Sequence, residues 1–121
     1  MSDSIMLERA KDFAIDTVNI CQAIKERRRE GLMTNQLLRC ATSVGANLHE
    51  SKYGQSTADF VSKMKIALKE CYESEYWLEL LVRTNYMTTE EYKHLRNSCG
   101  AIRRMLISSI NTTEANQTDL Q

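Results

Sequence analysis

Arg39, Ser43, Asn47 and Glu50 follow one another at steps of four, four and three residues. On a helix turning roughly 100° per residue they form a single row. The chemistry of that row is hydrogen bonding. A guanidinium presents a planar fork of donors that matches a carboxylate, and a hydroxyl and an amide can extend the network. Glu50, or an acid such as Asp59 further along, is the expected acceptor for Arg39. Gly45 and Ala46 lie around the row and let another surface come close. A solvated helix face more often carries Lys and Glu, so the row reads as a contact surface. Ser43 is no nucleophile on this reading. Nucleophilic catalysis needs a base and a group that orients it, and neither His49 nor His94 can be placed beside it.

Glu91-Tyr92-Lys93-His94 spells the Glu-x-x-His step of a di-iron bundle. Such a site requires a second step of that kind and two further inward glutamates. The other histidine, His49, has Ala46 at the required position. No Gly-rich phosphate loop is present. The chain is therefore expected not to be an enzyme, with no catalytic residue, no metal and no cofactor.

Two groups of cations have a second use. Lys25, Arg27, Arg28 and Arg29 close the first predicted helix, and Lys93, Arg96, Arg103 and Arg104 share a broad face of the last one. Such side chains either complement helix ends and neighbouring acids or neutralise phosphates. The arginines of the last helix have no aromatic residues interleaved with them. The chain carries 16 basic and 16 acidic residues, a formal charge of zero, so its bulk electrostatics do not announce a nucleic-acid binder.

The elements that hold these residues are helical. Four glycines and no proline in 121 residues leave little material for the turns of a β protein. Met6, Ala10, Phe13, Thr17, Cys21 and Ile24 mark the core side of a helix over about 3–28, ended by Gly31 in a left-handed conformation. A second helix, about 34–53, starts at an N-cap on Thr34 or Asn35, turns Leu37, Ala41, Val44 and Leu48 inward, and stops at Gly54. Ser56 and Asp59 open a third, about 57–84, as a shortened capping box. Its core side is Phe60, Met64, Ala67, Cys71, Ser74, Leu78 and Leu81. Asp59, Lys63, Ile66, Glu70, Glu73 and Trp77 share a second side, which reads as a further contact face. Thr88 and Glu91 form a full capping box for a fourth helix, about 88–110, whose core side is Tyr92, Leu95, Cys99, Ile102, Leu106 and Ser109. Gly100, in mid-helix at roughly 1 kcal/mol against Ala, suggests close packing.

The expected fold is all-α: one domain over 1–112, an up-down-up-down four-helix bundle, with a disordered polar tail over 113–121. The four cysteines have no metal-ligand spacing and read as small, reduced hydrophobes of a reducing cytosol. No stretch of about 18 apolar residues exists to span a membrane, and the start lacks the pattern of a signal peptide. The expected location is cytoplasmic.

The run from Leu38 to Glu50, followed by Asp59-Phe60, Lys63-Met64, Ile66 to Glu70 and Glu73 to Leu78, resembles the four-helix-bundle proteins of the 23S rRNA intervening-sequence family. In that family the second helix typically reads Arg, Ser and Asn-Ile-Ala-Glu, and the third carries Asp-Phe, then Ala, then Glu and Trp-Leu. Leu48-His49 stands where the family commonly has Ile-Ala, placing a bulkier, titratable group at the end of the row. The match runs through helices 2 and 3; helices 1 and 4 agree in character alone. The resemblance implies a homopentameric ring and a ribosomal association. It extends in fold to the accessory protein of diversity-generating retroelements, which binds a reverse transcriptase and nucleic acid. By this analogy Arg39, Ser43, Asn47, Glu50 and Asp59 are structural or interfacial. The overall expectation is an oligomeric scaffold for rRNA or another ribonucleoprotein, with Glu70, Glu73 and Trp77 joining the interface row and the two cation groups contacting phosphates. The alternative is a protein–protein adaptor with no nucleic-acid contact. A salt-dependent RNA-binding measurement separates the two.

Overall fold

The computed structural model describes residues 2–120, with side chains over 4–117. It contains four helices: α1 (Ser2–Arg28), α2 (Leu32–Ser51), α3 (Thr57–Arg83) and α4 (Thr89–Leu120). Each packs on its chain neighbours and α4 closes back on α1, and among the described residues no backbones approach closely across either diagonal. This is the antiparallel bundle that short connections impose.

The stripes read from the sequence form the core, with Phe60, Tyr92 and Ser109 half-buried at its edges. Phe13, Ile24, Leu37, Val44, Met64, Leu78, Leu81, Leu95, Ile102 and Leu106 are fully buried. The polar members of those stripes bond to their own helix: Thr17 Oγ1 donates to the Phe13 carbonyl at 2.7 Å and Ser74 Oγ to that of Glu70 at 2.8 Å, which removes the cost of burying a bare hydroxyl. All four cysteines are buried and free. Burial pushes the Cys21 thiol to about 12 and the Cys40 thiol to about 11, so both stay protonated and unreactive at neutral pH.

The connections differ from expectation in instructive ways. α2 begins at Leu32, ahead of Thr34, and Thr34 is buried. The Glu30 carboxylate accepts the Met33 and Thr34 amides at 2.8 and 2.9 Å, so the side chain before the cap position satisfies the orphan donors that Gly31 cannot. The left-handed residue after α1 is Arg29, at φ 54°, not Gly31, at φ −128°. Gly54 also lacks a positive φ. It is needed for closeness, since a Cβ there would sit 3.3 Å from Asp59 Cβ and from the Phe60 amide nitrogen. At the end of α3, Asn85 adopts φ 65°, one of the few side chains that tolerates it. Two capping motifs follow the sequence reading. Ser56 accepts the Asp59 amide at 3.1 Å, and Thr88 and Glu91 exchange reciprocal bonds of 2.9 and 3.1 Å.

The segment 113–121, expected as a disordered tail, is helical as far as Leu120; Gln121 lies outside the described residues. Over its 32 residues α4 runs about 48 Å, well past the start of α1. Its last turns lie along the first half of α3, where Lys65 reaches Glu114 at 2.9 Å. A tertiary partner makes helix of a segment with no apolar period of its own.

Candidate interaction surfaces

Two antiparallel helices place Arg39 of α2 opposite Glu73 of α3, and Glu50 opposite Lys63. Arg39 hydrogen-bonds Glu73, whose carboxylate also accepts the Trp77 indole N–H at 3.1 Å. The Arg39 hydrogen bond, with help from Trp77, holds Glu73 below the usual carboxylate range. Glu50 pairs with Lys63 at 2.9 Å, and that bond lowers its pKa as well. Arg39 therefore reaches neither Glu50 nor Asp59. Eleven residues of helix, about 16 Å, separate Arg39 from Glu50, and Asp59 is engaged at its own helix start, where it accepts the Gln55 amide at 3.3 Å. Asn47 bonds Ser43 within α2, to Oγ at 3.0 Å and to the carbonyl at 2.8 Å. The expected row is thus three local pieces on one seam. Trp77 is half-buried against the edge of the core rather than turned outward, whereas Ile66 is exposed.

One group on the seam is left over. Glu70 Oε2 is buried without a hydrogen-bond partner. Arg39 Nη1 lies 3.6 Å away, inside ion-pair reach and outside hydrogen-bond reach. Burial, then the neighbouring Glu73 charge, pushes the Glu70 carboxyl up despite Arg39.

The cations at the end of α1 are engaged in holding the bundle end. Arg27 grips Glu91 through both nitrogens, at 2.7 and 3.2 Å, and donates to the Tyr86 carbonyl at 3.1 Å. Arg28 donates to the Asn85 carbonyl at 2.5 Å and lies over the Tyr86 ring at 4.8 Å. Lys25 bonds Asn35 across the α1–α2 turn. Arg29 is exposed.

On α4 the balance differs. Arg96 and Arg103 share one acid, the nearly buried Glu75 of α3. Lys93 and Arg104 are exposed and form no ion pair among the described residues. Gly100 has no helix packed on it; a Cβ there would meet only Arg104 Nη1 at 3.3 Å and Arg103 Nη2 at 3.6 Å. The aromatic groups missing between the α4 arginines come from α3. Tyr72 is 51% and Tyr76 55% exposed, and the Arg103 guanidinium lies 5.9 Å from the Tyr72 ring centroid. Reading α4 alone misses this pairing. The available signal was two tyrosines one helical turn apart on the polar side of α3.

Among the described residues no cluster of three His, Cys, Asp or Glu could hold a metal. His94 lies 2.8 Å from Asp16 on α1. A groove of about 490 Å³ between Phe60 and residues 104–113 is lined mainly by hydroxyls and apolar groups, with Arg104 at its edge. No described helix is long and apolar enough to cross a membrane.

Residues 2–108 match the sequence model of the family described as 23S rRNA-intervening sequence protein. The chain belongs to that family. The bundle of this intervening-sequence protein is similar to a crystal structure, at 1.70 Å, of a protein of unknown function from the S23 ribosomal protein family of Bacteroides thetaiotaomicron VPI-5482. The two share 43% identity and a TM-score of 0.89 over 92% of this chain and 99% of the other. No curated protein matches the sequence.

Proposed function

We propose that this intervening-sequence protein is a non-enzymatic, cytoplasmic subunit of a homo-oligomeric ring, a pentamer, that binds rRNA or another ribonucleoprotein. The observation that carries the RNA reading is the face of α4, where Lys93, Arg96, Arg103 and Arg104 have a single acid, Glu75, among them. A local excess of this kind attracts phosphate even on a neutral chain. The family's description as a 23S rRNA-intervening sequence protein favours RNA as the polyanion. Assembly is supported by the α2–α3 seam, where the Glu70 carboxylate receives no hydrogen bond within the subunit among the described residues and its side chain stays 15% exposed, so that a neighbouring subunit can supply a donor to the oxygen that is not buried.

Light scattering over a range of protein concentrations tests the ring. Filter binding to a 23S rRNA transcript across a salt series tests the ligand. Affinity falling steeply with salt supports the proposal. A monomer at every concentration removes the ring, and absence of binding at low salt favours the protein–protein adaptor.

A further inference from the structure

We propose that Tyr72 and Tyr76 of α3, with Arg96, Gly100, Arg103 and Arg104 of α4, form a binding strip for single-stranded RNA, bases lying on the tyrosines and a phosphate over Gly100. The inference rests on the RNA reading above and gives it a site and a strand form.

Three features point to it. The tyrosines stand one helical turn apart and are more than half exposed. Neither hydroxyl is hydrogen-bonded within the chain among the described residues, so neither ring is held out by a polar contact. Tyr76 meets Trp77 edge-on at 5.1 Å, which supports the ring while leaving much of it open. Exposed aromatic rings are platforms for unstacked bases, and they tolerate any base because every base has a π-face.

The second feature is the approach of like charges. The tips of Arg103 and Arg104 lie against the same point, the place a Cβ on Gly100 would occupy. Arg103 shares Glu75 with Arg96, and Arg104 has no acid of its own among the described residues. Gly100 is buried, and the two guanidinium tips that meet at its missing Cβ form a cradle that an anion would complete by bridging them. Third, the aromatic and cationic parts are continuous, since Arg103 bridges them, at 2.9 Å from Glu75 and 5.9 Å from the Tyr72 ring. A base on Tyr72 and its phosphate on Arg103 therefore suit one flexible strand. A duplex keeps its base faces stacked inside and cannot use the tyrosines.

The test is fluorescence anisotropy of the full chain with a labelled oligouridylate of about 12 nucleotides, within the range of single-strand sites, beside a hairpin duplex RNA and an acidic peptide. The intact protein is expected to prefer the oligouridylate. Tyr72→Ala with Tyr76→Ala is expected to weaken it about tenfold or more with the salt slope kept, while Tyr72→Phe with Tyr76→Phe retains affinity. Arg104→Ala should reduce the salt slope by about one. Gly100→Ala should hold or raise the melting temperature, because both arginine tips can swing aside and alanine favours helix, yet weaken RNA binding severalfold by filling the cradle. Salt-dependent binding that the double alanine variant leaves intact overturns the strip and spares the RNA reading. So does preference for the hairpin. Failure of the intact protein to bind any RNA at low salt overturns both. Preference for the acidic peptide, or a changed oligomeric state in the double alanine variant, overturns the strip by making this face a protein contact.

Discussion

At the end of α1, Arg27 and Arg28 reach across to the carbonyls of Tyr86 and Asn85 and to Glu91, whereas on α4 Arg96 and Arg103 divide one carboxylate and Arg104 has none among the described residues. The two groups are alike in composition and differ in what surrounds them. The first faces the turn between α3 and α4, where the carbonyls of Asn85 and Tyr86 lie outside any helix and take donors from Arg28 and Arg27. The second faces α3 along its side, where carbonyls are already bonded and Glu75 is the acid at hand. Basic residues at a helix terminus are therefore drawn into structure, and basic residues along a helix flank remain available to a ligand.

The widest separation of the two groups is expected in RNA affinity. Arg103→Glu with Arg104→Glu reverses charge where it is least neutralised and should weaken oligouridylate binding roughly a hundredfold at low salt. Lys25→Glu with Arg29→Glu should weaken it by less than about fivefold, the residual effect being long-range. Equal losses at the two ends, read by anisotropy in the same buffer, would erase the distinction.

Stability should show the reverse order. Arg27→Ala removes bonds to Glu91 and to the Tyr86 carbonyl and is expected to cost about 1 kcal/mol, a figure kept low because the pair is partly exposed. That lowers the thermal midpoint by several degrees for a chain of this size, while Arg104→Ala leaves it in place. The same pair sets an acid dependence. Burial alone would raise the Glu91 carboxyl, but Arg27 and the Thr88 amide together outweigh it and hold it below its ordinary 4.5. A group depressed in the folded state stabilises fully above 4.5, and that contribution is lost as pH falls through the lower folded value. Arg27→Ala should therefore flatten the acid limb of a melting-temperature profile, and an unchanged limb would show that Glu91 is not held down by Arg27.

Much of this architecture could be read along the chain and part of it could not, for a physical reason. Stripes such as Phe13, Thr17, Cys21 and Ile24 are set by the helical period alone, and the Thr88–Glu91 capping box is a local motif. Both depend on residues a turn apart. Which acid meets Arg39 depends on the register of two helices, and Arg103 beside Tyr72 depends on the rotation of both about their axes. Neither is contained in one helix. By residue type Thr34 and Asn35 outrank Gly31 as a cap, and Glu30 caps α2 only because its carboxylate folds back over Gly31 onto the Met33 and Thr34 amides; the helical end of α4 has its support, Lys65, far away in sequence. Glu70 was placed on the right face, but its isolation follows from Arg39 choosing Glu73.

Glu70 is the acidic counterpart of the α4 surplus, and its expected effect is the smallest. Its carboxyl is raised by burial first and by Glu73 second. A carboxyl raised in the folded state binds its proton more tightly there than in the unfolded chain. Its contribution therefore turns unfavourable as pH climbs from 4.5 through the higher folded value and stays so at neutral pH. Glu70→Gln keeps the shape and removes the charge. In dilute, dissociated protein it should raise stability at pH 7 by on the order of 1 kcal/mol or less, the scale of one unsatisfied buried group, and the gain should vanish near about pH 4, where the native carboxyl is largely protonated. In the proposed ring, where a neighbouring subunit reaches the exposed oxygen of the carboxylate, the outcome should invert. A donor from the neighbouring subunit then meets an ionised oxygen, a stronger acceptor than an amide, so the substitution lowers the melting temperature and shifts dissociation to higher concentration. Melting curves on both sides of the assembly concentration decide it. A gain on both sides would leave Glu70 as a strained group inside one subunit and take the α2–α3 seam out of the ring.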